Sequence, residues 1–375
     1  MAIDNKDKKI LNVPHLRFPE FSGEWEMVSL QDIATINPKS DPLQNTFIYI
    51  DLEAVEKGEL RKIQEIMREE APSRAQRVID NNDILFQCVR PYQKNNYIHR
   101  ILNTSNQQWV ASTGYAQIRT TELPNYIYHL LNTDEFNRKV MVRCTGSSYP
   151  AINSEDLATI HLYYTPDKKE QLKISRLLDL LDKRIATQNK IIDKLQSLIK
   201  GIAQNVAHNN KPNISLSECL ECSSSTLQES DVCENGTYPV YGANGIVGYL
   251  DNYNTEKEAV YIIKDGSGVG AVSYVTGKCS ATGTLNTLQA KEGHSLQYLY
   301  YILKVFNFEP YKTGMAIPHI YFKDYGKAKI FCPPYQEQLR YAKMLSAIDD
   351  KLLAEQNVLT NLSLQKQYLL RQMFI

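Results

Sequence analysis

The sequence predicts an α+β fold: two mixed α/β domains separated by two long helices that form an antiparallel coiled coil, arranged as a pseudo-twofold internal repeat. Three observations lead to this expectation. One stretch of the chain recurs in order further along. A heptad pattern follows each copy, and short β-branched and aromatic runs such as FIYI (47–50) and AVYIIK (259–264) precede each pattern. With 375 residues, the chain is long enough for several domains with their own cores.

The internal repeat is clearest between TGSSYPAINSEDLATIHLYYTP (145–166) and TGMAIPHIYFKDYGKAKIFCPP (313–334). The offset is 168 within these segments and becomes 167 after one residue is lost. Thr145, Gly146, Pro150, Ile152, Asp156, Pro166, Gln171, Leu172, Leu178 and Asp182 recur as Thr313, Gly314, Pro318, Ile320, Asp324, Pro334, Gln338, Leu339, Leu345 and Asp349. So long and ordered a match predicts a duplicated architecture.

The heptad pattern after each copy predicts two helices that pair along one seam. A single apolar stripe is also typical of a helix packed on its own domain, but two unbroken seams favour mutual pairing. Gln188 and Glu355 are polar residues near the middle of each seam, and we expect them to fix the register of the helix pair. Gln188 should lie near Leu359, and Glu355 near Ile192, each to within about one helical turn. The seam residues are Ile174, Leu178, Leu181, Ile185, Gln188, Ile192 and Leu195 on one helix, and Leu345, Ile348, Leu352, Glu355, Leu359 and Leu362 on the other.

The domain boundaries follow from the repeat and the two seams. We expect a first mixed domain over residues 1–166, a first long helix over 167–208, a second mixed domain over 209–334 and a second long helix over 335–375. In an antiparallel pair, the two mixed domains would stand at opposite ends of the rod.

The composition favours an ordinary globular protein of the cytoplasm. The 42 basic and 42 acidic residues cancel, so net charge by itself indicates no polyanionic partner. Seven cysteines at irregular spacing predict reduced thiols rather than a disulfide framework. The opening MAIDNKDKKILNVPHLRFPEF lacks the apolar run of a signal peptide, and no stretch approaches the ~20 apolar residues of a membrane span.

The tetrapeptide CPPY (332–335) resembles the Asn/Asp-Pro-Pro-Tyr/Phe motif of adenine-N6 and cytosine-N4 DNA methyltransferases. In that motif the first side chain and a backbone carbonyl grip the target amino group, and the aromatic ring stacks on the flipped base. Cys332 lacks the oxygen that this contact requires, which favours a simple proline boundary before a helix. A self-contained methyltransferase with degenerate motifs is kept as an alternative.

Two further motifs are weaker still. The run KDGSGVGAV (264–272) is a candidate cofactor loop, but a strand-like AVSYVTG follows where a helix should begin, so a tight β-turn is predicted. CLEC (219–222) has zinc-like spacing, with only Cys233 nearby, so plain thiols and no metal site are expected. No arrangement of residues commits the chain to catalysis, and no catalytic residue is predicted.

Acidic residues are absent from three segments that contain Arg, Lys and aromatic residues: Ile84 to Thr120, Gly266 to Lys291 and Pro310 to Lys323. Carboxylates repel phosphates, whereas Arg and Lys bind phosphates and guanine, so these segments and the turns beside them predict a DNA-binding face. The alternative is a strand-rich core that is simply uncharged. The candidate DNA-binding residues are Arg74, Arg77, Arg90, Tyr92, Lys94, Tyr97, Arg119, Tyr241, Asn244, Lys264, Ser267, Lys278, Thr282 and Lys312.

Taken in order along the chain, several segments resemble the specificity subunit of Type I restriction–modification systems. VPHLRFPEFSGEWEMVSLQDIA (13–34) resembles the opening of that family's first target-recognition domain. YPVYGANGIVGYLDNY followed by IIKDGSGVGAVSY resembles its second type of recognition domain. The repeated phrase Pro-x-Ile…Pro…Glu-Gln-x-x-Ile/Leu before each long helix resembles its repeated regions.

This resemblance implies a non-catalytic subunit in which each mixed domain reads one half of a split DNA sequence. The paired helices would act as a ruler and as the docking surface for two modification subunits, which methylate adenine, and translocating restriction subunits would join them. The chain itself would bind no cofactor; S-adenosylmethionine, ATP and magnesium would be held by the partners. Because recognition domains in this family diverge widely, the resemblance assigns no base-contacting residue. A coiled-coil adaptor without a DNA role is the remaining alternative.

Overall fold

The computed structural model describes residues 12–100, 107–314 and 317–375. Residues 1–11, which make up about half of the opening stretch MAIDNKDKKILNVPHLRFPEF, lie outside the described residues. So do residues 101–106 and 315–316, which belong to two of the acid-free segments. The chain divides into two compact units: a first unit up to Thr187 that also includes Leu359–Ile375, and a second unit, Gln188–Val358.

The first unit is built from short strands and helices followed by the start of a long helix. Its strands are β1 (Glu26–Ser29), β2 (Ala34–Ile36), β3 (Thr46–Ile50), β4 (Val55–Glu56), β5 (Glu59–Leu60), β6 (Gln64–Met67), β7 (Ala75–Ile79), β8 (Ile84–Gln87), β9 (Tyr97–Ile98), β10 (Gln108–Ser112), β11 (Tyr115–Thr120) and β12 (His161–Tyr164). Its helices are α1 (Leu30–Ile33), α2 (Pro124–Leu131), α3 (Asp134–Arg143) and α4 (Ser154–Ala158), followed by α5 (Lys168–His208), which continues into the second unit.

Two four-stranded sheets carry the first unit, in the orders β6-β3-β10-β7 and β2-β11-β8-β9. Strand β8 reads ILFQ and all four residues are buried, as expected for a strand covered on both faces. Strand β10 pairs parallel with β3 and antiparallel with β7. A separate pair, β1 with β12, brings the beginning of the unit beside the segment that leads into α5.

The second unit repeats this plan with fewer strands. Its strands are β13 (Ile214–Ser215), β14 (Leu220–Ser224), β15 (Tyr238–Gly242), β16 (Gly245–Leu250), β17 (Glu258–Ile263), β18 (Val272–Thr276), β19 (Ser280–Ala281), β20 (Leu285–Ala290) and β21 (Lys329–Ile330). Its helices are α6 (Leu216–Cys219), α7 (Leu296–Lys304), α8 (Phe322–Tyr325) and α9 (Tyr335–Met373), the last of which ends in the first unit.

The sheets of the second unit have the orders β14-β20-β17-β18 and β16-β15-β19, and β13 pairs with β21. The β13–β21 pair corresponds to β1–β12, because each leads into a short helix that opens with the same capping box. Ser29 caps with Asp32 in one unit and Ser215 with Glu218 in the other. The duplication predicted from the sequence is therefore present in the backbone.

Helices α5 and α9 lie side by side within each unit, as the two seams predicted. In the second unit Gln188 Nε2 donates to the carbonyl oxygen of Glu355 at 3.0 Å, and Ile199 packs in one cluster with Leu345, so the helices run antiparallel there. The contact at Gln188 lies one helical turn from the expected Leu359. None of the thirteen predicted seam residues is exposed.

Between residues 12 and 375, leaving out the two internal gaps, no helix is both long and apolar enough to cross a membrane.

Candidate nucleic-acid interface

A strained turn follows the buried strand β8 in the first unit. A 3₁₀ turn, Pro91–Gln93, is flanked by Arg90 and Lys94, which both have φ of 53°. The N–H of Arg90 donates to the carbonyl of Pro150 at 2.7 Å, which ties the turn to the repeated segment. Left-handed conformations are costly for residues with a side chain and cluster at functional sites. This turn therefore marks the region as a candidate site.

The second unit contains the same turn with glycine in place of Arg90. There the N–H of Gly266 donates to the carbonyl of Pro318 at 3.0 Å, and its φ is 92°. Glycine adopts this conformation without strain, so the backbone itself does not call for arginine. The side chain of Arg90 consequently contributes something other than turn geometry.

The guanidinium of Arg90 borders a cleft of about 740 Å³. Its Cζ lies 4.3 Å from the centroid of the Tyr149 ring, a cation–π contact that holds the side chain across the opening. Arg and the amides of Gln and Asn are the side chains that read guanine and adenine edges, and this cleft brings them together. The polar and aromatic residues that line it are Glu53, Glu56, Arg61, Arg74, Gln87, Arg90, Gln93, Asn95 and Tyr149.

Two of the predicted DNA-binding residues, Arg74 and Arg90, line this cleft. Arg74 is exposed, and the buried Gln87 donates through Nε2 to Gln93 Oε1 at 2.9 Å, so the amide of Gln93 is oriented from below. Arg61 pairs with Glu59 at 2.8 Å and is therefore partly neutralised. The cleft thus combines the guanidinium groups of Arg74 and Arg90 with amides, and the carboxylates of Glu53 and Glu56 also line it. This mixture of donors and acceptors suits the edge of a nucleic-acid base.

Other predicted cations of the first unit are engaged within the protein. The Lys94 ammonium lies 2.7 Å from Asp134, and burial lowers the pKa of the half-buried Arg77. Arg119 binds the buried carboxylate of Asp83, and this pairing raises the pKa of Arg119. Lys94 and Arg119 therefore form ion pairs within the unit, whereas the buried Nε of Arg77 has no partner, and none of the three lines the cleft.

The two predicted aromatic residues of the first unit differ in their exposure. Tyr92, in the strained turn, is half exposed at 51%, whereas Tyr97 packs against the cluster that contains Leu85 and Tyr115. Burial raises the pKa of Tyr97. Tyr92 thus presents part of its ring to solvent, and Tyr97 is mainly a packing residue.

In the second unit the clearest cationic feature is Lys278. Its Nζ lies 4.7 Å from the Tyr253 ring and 5.9 Å from the Tyr238 ring, and the two rings meet edge to face at 5.1 Å. The hydrogen bond with Tyr253 raises the pKa of Lys278, so the charge is retained. A lysine above two tyrosines offers a charge and flat faces together, a combination used to bind nucleic-acid strands.

The remaining predicted residues of the second unit are spread over several turns. Asn244 is exposed in the turn between β15 and β16, and Ser267 is exposed beside the half-buried Lys264. The turn that contains Lys264 and Ser267 precedes strand β18, so KDGSGVG forms the predicted β-turn and does not open a helix.

Three other predicted residues are held by internal contacts. Thr282 is only 1% exposed and its hydroxyl lies 2.8 Å from that of Thr284, so it does not reach the surface. The Lys312 ammonium pairs with Glu309 at 2.5 Å. The Tyr241 ring lies 5.8 Å from that of Tyr261 and is half buried.

The cysteine motifs take a form that the sequence did not predict. All seven cysteines are free thiols, as expected. Cys219 of CLEC, however, faces Cys332 of CPPY and His294, while Cys222 stays outside this group. The N–H and carbonyl of Cys332 both bond to the side-chain amide of Asn213 at 2.8 Å, so its backbone is occupied.

Sequence reasoning missed the neutral residues of the cleft. Gln87, Gln93 and Asn95 carry no charge, so a search for basic, acid-free segments could not identify them. Tyr149 offered one signal, since it lies in the repeated TGSSYP segment that returns beside the turn at Arg90.

Two units with one backbone plan, each joined to a long helix with a heptad seam, define a duplicated domain of the kind that the sequence predicted. The chain belongs to the family described as Type I restriction modification DNA specificity domain, whose sequence model matches residues 22–197 and 213–362.

The chain is similar to named specificity subunits along parts of its length. It is 29% identical over 123 residues to a putative type I restriction enzyme specificity subunit of Haemophilus influenzae, and the match covers 32% of each protein. It is 24% identical over 272 residues to a putative type I specificity subunit of Mycoplasma genitalium, covering 66% of this chain and 70% of the relative. The match thus spans about a third of the length of the Haemophilus influenzae relative and 70% of the length of the Mycoplasma genitalium relative.

Solved structures share the fold. The crystal structure of the S subunit of a Type I restriction–modification system from Mycoplasma genitalium aligns over 97% of this chain and 99% of that one, with a TM-score of 0.65 and 17% identity. A chain from a structural study of complex assembly and conformational transition in the type I system aligns over 92% and 96%, with a TM-score of 0.54 and 22% identity.

Proposed function

We propose that this chain is the sequence-specific DNA-binding specificity subunit of a Type I restriction–modification complex. Each unit reads one half of a bipartite target in double-stranded DNA. Two modification subunits dock on the long helices and methylate adenine with S-adenosylmethionine, and restriction subunits that use ATP and magnesium join them. The chain directs these reactions and catalyses none of them.

The observation that carries the proposal is the cleft beside Arg90. A guanidinium held over Tyr149 and an exposed Arg74 supply positive charge, while Gln93 and Asn95 supply amides at the same opening. Arginine pairs with guanine and amides pair with adenine through two hydrogen bonds each, which discriminates bases by ~1–3 kcal/mol per pair. Family membership gives the same functional class from independent information.

The exchange of Arg90 for Gly266 in the same turn supports two different half-sites. A left-handed turn with the same backbone hydrogen bond, carrying a long cation in one unit and no side chain in the other, would meet different base edges. A duplicated scaffold with unlike side chains therefore suits an asymmetric target better than a palindrome.

A self-contained DNA methyltransferase is the second candidate, and the contacts of Cys332 weigh against it. That motif needs a carbonyl and a side-chain oxygen free to accept from the target amino group. Here the Cys332 carbonyl accepts from Asn213, and the side chain is a thiol. We expect the isolated chain neither to bind S-adenosylmethionine nor to transfer a methyl group.

The test uses the chain co-purified with its modification subunits, with methylated adenines mapped on genomic DNA. In the Arg74→Ala/Arg90→Ala variant, methylation should spread to sites altered in one half only, with a loss of ~1–3 kcal/mol for each lost base contact. The control is Arg138→Ala, which removes an arginine from an exposed pair with Glu135 on α3. Methyl transfer by the partner-free chain, or unchanged half-site preference in the double variant, would refute the proposal.

A further inference from the structure

The second unit contains a group of three side chains that the DNA-reading role does not use. The sulfur atoms of Cys219 and Cys332 and a ring nitrogen of His294 all lie within 4.8 Å of one another. Cys332 Sγ lies 3.5 Å from His294 Nδ1. The three residues are 75 and 38 positions apart in the chain, so the fold, and not a local motif, brings them together.

We propose that Cys219, His294 and Cys332 form a binding site for one zinc-class divalent metal ion. Thiolate and imidazole are the ligands that zinc prefers, and a Cys₂His set with water as the fourth ligand is an established donor combination. In a tetrahedral site with Zn–S of ~2.3 Å and Zn–N of ~2.0 Å, neighbouring donor atoms lie about 3.5–3.8 Å apart. The approach of Cys332 to His294 already has this spacing, and the widest separation needs to close by about 1 Å at most.

The surroundings of the site suit a metal ion of charge +2. Cys219 and Cys332 are 0% and 7% exposed, whereas His294 is half buried, so a water ligand can enter from the imidazole side. Two thiolates and a neutral imidazole balance the charge of the ion, which limits the cost of burial. Binding would release the thiol protons to solvent.

The ligand backbones are fixed before any metal arrives. The N–H of Cys332 donates to Asn213 Oδ1 at 2.8 Å, and the N–H of Lys291 donates to the carbonyl of Cys219 at 2.9 Å. The N–H of Ser295, next to His294, donates to Gln338 Oε1 at 2.8 Å. The site thus lies between α6, the segment before α7 and the start of α9, and an ion would join all three.

The first unit supplies an internal comparison. Its matching strand pair, capping box and Gln171 contact place Ile33, Glu122 and Tyr164 where the second unit has Cys219, His294 and Cys332. The shared fold therefore needs none of the three ligands, since the same corner forms without them. Their joint occurrence at one point of the second unit favours a specific role over ordinary core packing.

The test begins with the full chain, freed of metal by a chelator and kept reduced by a phosphine, and titrated with Co²⁺ alone. We expect one Co²⁺ per chain, with thiolate-to-cobalt charge-transfer absorption and the visible bands of a tetrahedral ion, both removed by added Zn²⁺. Zinc should also slow hydrogen exchange at Cys219, Ser295 and Cys332. In the metal-free chain these amides should exchange faster.

Single substitutions then separate this ligand set from others. Cys219→Ser and Cys332→Ser should each remove most of the charge-transfer absorption. His294→Gln, at a half-buried position that leaves the core intact, should weaken cobalt binding by at least the ~10-fold typical of groups around a metal site. The matched control is Cys222→Ser, which changes the other cysteine of CLEC and should leave the spectrum unaltered.

Several results would overturn the proposal. Absence of thiolate–cobalt absorption in the reduced chain would do so, as would its persistence in the Cys219→Ser/Cys332→Ser double variant. Loss of absorption in Cys222→Ser to the same extent as in Cys219→Ser would point to a different ligand set. An unchanged cobalt affinity in a folded His294→Gln chain would also exclude the site as described.

Discussion

Replacing Arg119 should destabilise the first unit, because this arginine neutralises a buried carboxylate. Asp83 is 1% exposed, and Arg119 donates to both of its oxygens at 2.8 Å through Nε and Nη2. Removing the guanidinium leaves a buried charge with fewer partners. We therefore expect Arg119→Met, which keeps the aliphatic stem, to lower the free energy of unfolding.

The size of the loss in free energy of unfolding depends on the hydrogen bonds that Asp83 retains in the variant. Breaking a buried ion pair costs ~3–5 kcal/mol, whereas an exposed pair contributes at most ~1 kcal/mol. The Arg119 side chain is 42% exposed, and Asp83 still accepts from Gln117 Nε2 at 2.7 Å and from the N–H of Asp80 at 2.7 Å. These remaining bonds place the expected loss at about 2–3 kcal/mol.

Tryptophan fluorescence during urea denaturation can measure this loss. Both tryptophans of the chain, Trp25 and Trp109, belong to the first unit, so their emission follows the unfolding of that unit. With an m-value of ~2 kcal/mol/M, the midpoint should fall by about 1 M urea. Arg138→Met, which breaks an exposed pair on α3, should shift it by much less.

A double-mutant cycle distinguishes the ion pair from packing. Adding Asp83→Asn to Arg119→Met should recover part of the loss, because the amide carries no charge to leave unpaired. An unchanged midpoint in Arg119→Met, together with weakened DNA binding by the assembled complex, would refute this reasoning and assign Arg119 to DNA contact.

Three further predictions concern the turn and the helices. Arg90→Gly should change the free energy of unfolding of the first unit by less than ~1 kcal/mol, because relief of the left-handed conformation offsets the lost contact with Tyr149. Gly266→Ala should instead destabilise the second unit by ~1–2 kcal/mol, because alanine is strained at a φ of 92°. Hydrogen-exchange measurements on each unit would check both values. The Gln188→Leu/Glu355→Leu variant should slow amide exchange along the helix pair by replacing a polar seam contact with apolar packing, a gain of ~1–3 kcal/mol that faster exchange would contradict. One heptad inserted near the middle of both α5 and α9 keeps the seam in phase and lengthens the helix pair by about 10 Å at ~1.5 Å per residue. At ~3.4 Å per base pair, methylation mapping should then show an unread spacer that is about three base pairs longer. Activity retained only on the original spacer would show that the helices do not set the spacer length.

The duplicated fold was predictable because its signals repeat along the chain. The seam positions were identified from local heptad spacing, and all of them are at least half buried. The capping serines, Ser29 and Ser215, show why local sequence predicts such elements. Each short helix begins at a capping box whose residues lie within four positions of one another. Such features depend on neighbours in sequence, which a pattern can show.

The candidate site was less predictable because several cations pair with carboxylates that lie outside their own acid-free segments. An acid-free segment predicts cations that are free to bind DNA. Arg119, however, pairs with Asp83, which lies just before its segment, and Lys94 pairs with Asp134, well beyond it. Lys312 pairs with Glu309, immediately outside a third segment. A one-dimensional window does not report which carboxylates the fold brings back to a cation.

The same limit explains the cysteines and indicates where the duplicated scaffold has diverged. Local spacing paired Cys219 with Cys222, but the fold pairs it with Cys332, 113 positions away. The corresponding corner of the first unit contains Ile33 and Tyr164, and the corresponding turn contains Arg90 in place of Gly266. Backbone hydrogen bonds are kept at both places while the side chains differ. Because the scaffold holds its geometry without these side chains, each unit is free to carry its own contacts, which is what the proposed reading of two unlike half-sites would require.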